Sequence, residues 1–171
     1  IWVALPKERE DMDPQFHHTK EEELPTWTDG PVRYRLIAGE AFGKRSPVPV
    51  YSKLFFLELT SAERAEVDLG TALFGEAGLY ILQGGIISDG NHFGPKQILV
   101  STQPSLCTFT LEPGTSVYLF GGEPFPEERF IHWNFVATSK DRIEAARQRW
   151  MAQEFPKIEG ETEFVPLPIM R

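Results

Sequence analysis

A single cysteine in 171 residues excludes an intrachain disulfide framework and any Cys-cluster metal site. No apolar run approaches the ~18 residues of a membrane-spanning helix. The best, 54–57 and 79–82, are strand-sized, so no membrane partner is expected. Positive charge is also scarce, 17 Lys plus Arg against 25 Asp plus Glu, for a formal charge of −8. A broad phosphate-binding surface needs clustered Lys and Arg, and nucleic acid is therefore not an expected partner. Of the four histidines, His17, His18, His92 and His132, no two form a His-x-His pair. The opening Ile1-Trp2-Val3-Ala4-Leu5-Pro6 lacks the basic-then-apolar order of a secretory signal and reads as the end of an apolar strand. The chain is thus expected to be the downstream part of something longer, with a cytoplasmic location.

What is present indicates a globular protein: 41% hydrophobic residues, 25% charged, and a length suited to one domain with appendages. Residues 7–23 are acidic and polar and read as a solvated linker. From 32 to 137 the chain becomes a series of short apolar or alternating runs, at 32–38, 54–59, 79–83, 86–88, 97–101, 106–111, 117–120 and 131–137. Between them stand Gly84-Gly85, Asp89-Gly90, Gly94-Pro95, Glu112-Pro113-Gly114 and Gly121-Gly122, and Gly121-Gly122-Glu123-Pro124 reads as a tight exit from a strand. Closely spaced strands with no helical pattern among them predict an all-β sandwich or barrel and exclude a parallel α/β fold.

Alternation along 106–111 places Cys107, Phe109 and Leu111 on the core face. In the same way, 131–135 reads as one strand with Ile131, Trp133 and Phe135 inward and His132 and Asn134 outward. The pattern predicts one helix over 138–154, begun by Thr138 with Asp141 three residues on, its apolar stripe being Ile143, Ala146 and Trp150. The proline-bearing tail 157–171 contains Phe164-Val165-Pro166-Leu167-Pro168-Ile169, which is apolar enough to need a surface to lie on.

Three segments carry a specific resemblance. Val32-Arg33-Tyr34-Arg35-Leu36-Ile37-Ala38-Gly39-Glu40-Ala41-Phe42-Gly43 with Ser46-Pro47-Val48 is the first, and Leu119-Phe120-Gly121-Gly122-Glu123-Pro124 the second. The third runs from 132 to 168 and includes His132-Trp133-Asn134-Phe135-Val136 and Phe155-Pro156-Lys157. Together they resemble the C-terminal half of a pirin-family protein, and Trp2-Val3-Ala4-Leu5-Pro6 is similar to the segment by which that family leaves its first cupin domain. The resemblance implies a bicupin, two jelly-roll β-barrels in tandem, with iron held by three His and one Glu in the N-terminal barrel. The expected fold is accordingly a cupin-type jelly-roll β-barrel with a C-terminal α-helix and extended tail. Its expected organisation is 1–6 as the end of an upstream cupin, 7–26 as acidic linker, 27–137 as the barrel, and 138–171 as helix and tail.

The resemblance further implies that the intact molecule is an iron-dependent oxidoreductase of the quercetin 2,3-dioxygenase type. The alternative it carries is a protein-interaction or transcription-cofactor module without turnover. The expected partners are the N-terminal cupin, with a flavonol-like molecule or a protein as further candidates. In this chain no residue is expected to be catalytic, cofactor-binding or metal-ligating, because cupin metal binding needs a His-x-His pair on one strand face, a Glu soon after and a later His. Neither 69–85 nor 94–99, where the two cupin motifs would fall, contains a histidine.

The remaining polar candidates have plain readings. His17 and His18 are adjacent and point apart in an extended chain; His92 follows a turn; His132, with Asn134, is read as orienting the C-terminal helix by hydrogen bonding. Glu40, Glu58 and Glu123 lie near strand ends and are read as salt-bridged or exposed rather than as general acids or bases. Trp27, Trp133 and Trp150 are read as core and interface material.

Overall fold

The computed structural model describes residues 1–70, 72–101 and 108–168. Cys107 and Ile169, assigned above to the core face and to the apolar tail, lie outside the described residues. Within them the chain divides into two compact units, one of Pro14–Pro124 and one of Ile1–Asp13 with Phe125–Arg171.

Among its described residues the larger unit has eleven strands: β1 (Thr26–Asp29), β2 (Val32–Ala41), β3 (Lys44–Arg45), β4 (Leu54–Ser61), β5 (Ala65–Asp68), β6 (Glu76–Gln83), β7 (Ile86–Ser88), β8 (Asn91–Phe93), β9 (Ile98–Ser101), β10 (Thr108–Leu111) and β11 (Thr115–Gly122). They form a seven-stranded sheet in the order β1-β2-β4-β11-β6-β9, with β3 on β2, and a four-stranded sheet β5-β10-β7-β8. Every pairing between them is antiparallel. Strands distant in sequence lie side by side, as β4 and β11 do, in the manner of a cupin jelly roll, and no closed barrel forms among the described strands.

Period-two alternation explains the core. On β4, Phe55, Leu57, Leu59 and Ser61 are buried while Leu54, Phe56, Glu58 and Thr60 are less so, because successive side chains take opposite faces. On β10, Phe109 and Leu111 are buried as alternation predicts. One apolar cluster draws Leu36, Leu57, Leu79 and Leu119 from the large sheet and Val67, Ile86, Phe109 and Leu111 from the small one, so the two inner faces pack on each other. β11 runs two residues further than expected, through Gly121 and Gly122, which pair to β4 on one side and β6 on the other, and the chain leaves the strand at Glu123-Pro124.

On the outer face of the large sheet, Arg35 bridges Glu58 (3.2 Å) and Glu21 (2.5 Å), and Tyr118 donates to Glu58 Oε1 at 3.3 Å. Burial, reinforced by the Glu58 carboxylate, raises the Tyr118 phenol above the ordinary tyrosine value of 10.0. A phenol whose folded pKa is raised contributes stability that is complete below about pH 10 and is lost as pH rises through the folded value. Tyr118→Phe should therefore flatten the loss of stability above about pH 10, read from urea midpoints across that range. Superimposable pH profiles for the two proteins would refute this.

The smaller unit contains β12 (Phe130–His132), β13 (Phe135–Ala137) and α1 (Lys140–Met151). Residues 131–137 form a hairpin rather than one strand, with Ile131 opposite Val136 and His132 opposite Phe135. The turn is Trp133-Asn134, with Trp133 at φ +52°, a conformation uncommon for a bulky residue. Docking of its indole at 5.2 Å from Trp150 and 5.6 Å from Phe135 offsets that cost. Ile131 consequently faces solvent at 69% exposure, and Asn134 is exposed in the turn.

The helix is shorter than predicted, and its cap lies one residue later. Ser139, not Thr138, is its N-cap and accepts from the Arg142 amide at 3.3 Å. Thr138 is held instead by Glu10, which accepts from its amide at 2.8 Å and its hydroxyl at 3.0 Å, and from Arg142 Nε at 3.3 Å. Glu10 is 7% exposed in its side chain, so one carboxylate of the acidic 7–23 segment is bound rather than solvated. Asp11 also pairs with Arg142. The stripe Ile143, Ala146 and Trp150 faces inward as expected, with Ile143 buried.

The tail folds back on this unit. Phe164 stacks on Trp150 at 5.5 Å, and Trp150 Nε1 donates to the Val165 carbonyl at 2.8 Å.

Candidate functional site

The motif 32–48 acquires a physical role in the structure. β2 carries an extra residue, Ile37, between Leu36 and Ala38, where the register against β4 shifts. Ser46 secures this bulge, its hydroxyl donating to the Ile37 carbonyl at 2.7 Å and its amide to Gly39 O at 2.9 Å. Gly39 is required there: its φ is +76°, and a Cβ would lie 1.9 Å from the Leu54 carbonyl oxygen.

Beyond the bulge, Phe42-Gly43 makes a two-residue hairpin turn with both φ positive, +52° and +67°. Phe42 is kept in that conformation by its packing against Tyr34 (5.5 Å) and Trp27 (5.6 Å), and Trp27 stacks on Tyr34 at 5.2 Å.

This hairpin forms one wall of an open cleft of about 690 Å³. The end of β5, at Asp68, and the chain through Leu69, Ala72 and Phe74 form the other wall. Phe74 is anchored edge-on to Phe55 at 5.5 Å, with Lys53 Nζ 4.5 Å above its ring. Lys53 pairs with Glu123 at 2.6 Å, and that hydrogen bond holds its ammonium above the ordinary lysine range, with the Glu123 and Glu40 charges adding to the effect.

Four charged side chains line the cleft, and two are engaged. Asp68 Oδ1 accepts from the Gly70 amide at 2.8 Å, and Lys44 Nζ sits 5.2 Å from the Trp27 ring centre. Glu40 and Arg45 lie directly opposite each other on β2 and β3, the position of a cross-strand ion pair, yet neither makes a side-chain bond among the described residues. The cleft can hold a small polar molecule between apolar walls. Its lining offers neither an imidazole nor a thiol.

The histidines are dispersed. His17 contacts Gln15 Oε1 at 3.1 Å and is exposed, as is His18. His92 pairs with Glu112 at 2.8 Å across the edge of the small sheet. His132 makes no side-chain hydrogen bond among the described residues, so the expected bonding to α1 is not what orients that helix. On α1 the Glu144 carboxyl is held below its usual range chiefly by bonds from Gln148 and Arg147.

No group of three or more His, Cys, Asp or Glu is placed to hold a metal among the described residues. The donors present do not fit iron, since a cupin site needs imidazoles converging from neighbouring strands.

Of the carboxylates singled out above, Glu58 and Glu123 are ion-paired and Glu40 faces the cleft. Arg45 is a position that sequence reasoning missed, and no local sign marked it; Ser46 was quoted within the motif, without its bonding role.

Residues 56–156 match the family Pirin C-terminal cupin domain. A pirin-like protein of Caulobacter vibrioides is 43% identical over 98% of this chain and 58% of its own length. A Pseudomonas aeruginosa protein provisionally named a quercetin 2,3-dioxygenase is 36% identical over 88% of this chain and 47% of its own. The crystal structure of quercetin 2,3-dioxygenase from Acinetobacter baumannii superposes with a TM-score of 0.84 at 26% identity, over 99% of this chain and 57% of that one. The chain thus spans about half the length of the relatives it matches. No helix among the described residues is long and apolar enough to cross a membrane. The two-sheet fold, the family match over most of the strands and the 43% identity over nearly the whole chain lead to one assignment: this chain belongs to the pirin family and constitutes its C-terminal cupin domain.

Proposed function

We propose that this domain is the metal-free half of a cytoplasmic two-cupin protein whose intact form is an iron-dependent dioxygenase of the quercetin 2,3-dioxygenase type, with the iron in an N-terminal cupin. The observation that carries the reading is the pairing of a close family match, covering about half of each relative, with a domain whose donors do not fit iron. An apolar strip supports a partner domain: Leu82, Ile98 and Val100 are 48%, 56% and 73% exposed, on β6 and on β9, the last strand of the large sheet among the described residues. An edge strand with exposed apolar residues and no charge in its span is a surface that proteins ordinarily cover.

A protein-interaction or transcription-cofactor module without turnover would use the same strip, and turnover separates the two readings. The intact protein should hold one iron per chain, none of it on this domain, and should consume oxygen in the presence of quercetin or a related flavonol. Stoichiometric iron on this domain alone would overturn the assignment of the metal. An iron-loaded intact protein that consumes no oxygen with flavonols would favour the module.

A further inference from the structure

We propose that the cleft between the β2–β3 hairpin and the wall of Asp68, Leu69, Gly70, Ala72 and Phe74 is a binding site for a zwitterionic aromatic α-amino acid. The inference is independent of any oxygenase activity in the intact protein.

Its basis is the idle pair Glu40 and Arg45. Opposite charges directly across an antiparallel ladder ordinarily pair with each other, but here both line the cleft with no side-chain hydrogen bond or ion pair among the described residues, Glu40 having only the longer-range charge of Lys53. The other two lining charges are already occupied, Lys44 by the Trp27 face and Asp68 by the Gly70 amide. What the cleft presents to a ligand is therefore one guanidinium and one carboxylate, with no net charge between them. A simple anion would satisfy Arg45 but face Glu40, and a simple cation would meet the reverse. An α-amino acid carries both groups on adjacent atoms, its carboxylate suited to the planar fork of Arg45 and its ammonium to Glu40. The walls set the side chain: Phe42 and Phe74 offer partly exposed rings, backed by the buried Ala41 and Leu69, a surface for an aromatic group. At about 690 Å³ the cleft lies within the range of small-molecule sites, and it is open enough for exchange with solvent.

The test is a titration of the protein, labelled with nitrogen-15, by L-phenylalanine, phenylacetate and phenethylamine. L-Phenylalanine should shift the amide resonances of Gly43 and Gly70, with a dissociation constant on the order of 1 mM. Phenylacetate and phenethylamine, each lacking one charge, should bind about tenfold more weakly, as should L-phenylalanine to Glu40→Gln and to Arg45→Gln. Both side chains are exposed, and the dispersion of the same spectra shows that the variants remain folded. Equal binding of phenylacetate and L-phenylalanine, unchanged binding by either variant, or no shift at about ten times the expected constant would each overturn the proposal.

Discussion

Gly121→Ala is expected to destabilise the sandwich by about 4 kcal/mol or more, beyond the usual range of single substitutions. Gly121 lies on β11, opposite Phe55 of β4 and Ala77 of β6. An added Cβ would stand 2.0 Å from the Glu76 carbonyl oxygen, 2.9 Å from the Phe55 ring and 3.0 Å from Ala77 Cα. Two of these are main-chain atoms that cannot rotate away, so the methyl group is accommodated only by parting β11 from β6 and forfeiting ladder hydrogen bonds. Overpacking in a yielding core costs about 1–3 kcal/mol, and a rigid backbone neighbour puts this site above that. Gly94→Ala is the control, because nothing lies within 4 Å of its added Cβ. Urea denaturation followed by circular dichroism should show Gly94→Ala near wild type and Gly121→Ala far below it. A loss under about 1 kcal/mol at Gly121 would mean that the strands separate easily there.

The long strands were legible because their burial repeats every two residues over a stretch long enough to see. β2, β4 and β11 contribute Leu36, Leu57 and Leu119 to the core at positions alternation names. The four-residue β5 and the three-residue β8 offer too few repeats, and β8 contains the polar Asn91 and His92. The hairpin at 131–137 was misread for a different reason. A left-handed Trp133 has no local signal, since its conformation is tolerated only because the indole docks on Trp150, seventeen positions away. The helix start shifted because Thr138 is claimed by Glu10, a contact spanning 128 positions.

The candidate site was legible only in part for the same physical reason. Gly39 and Ser46 lie within one recognisable motif, and their bonding is local. The cleft itself needs Glu40 and Arg45 from one segment and Leu69 and Phe74 from another, joined by packing that no short-range pattern encodes. The absence of a His-x-His pair, by contrast, is a property of the sequence alone, and it excludes that geometry whatever the fold.

Trp150→Ala should cost the smaller unit about 3 kcal/mol, the lower part of the range for deleting a large aromatic, since Trp150 is only half-buried. Its indole meets Trp133 at 5.2 Å, Phe164 at 5.5 Å, Phe155 at 5.6 Å and Phe135 at 6.3 Å, so one truncation opens a contact with each of four rings. The helix, the Trp133 turn and the tail all converge on this side chain. Trp133 then loses the packing that offsets its positive φ, and the tail loses both the stacking of Phe164 and the bond to Val165. Trp150→Phe separates these contributions, because a phenyl ring keeps much of the stacking but has no donor for the Val165 carbonyl; it should cost about 1 kcal/mol. Limited proteolysis provides the local reading, with cleavage within 157–168 fast in Trp150→Ala and intermediate in Trp150→Phe. If Trp150→Ala unfolds within about 0.5 kcal/mol of wild type and its tail is cut no faster, the tail is held by other contacts and Trp150 is a surface residue.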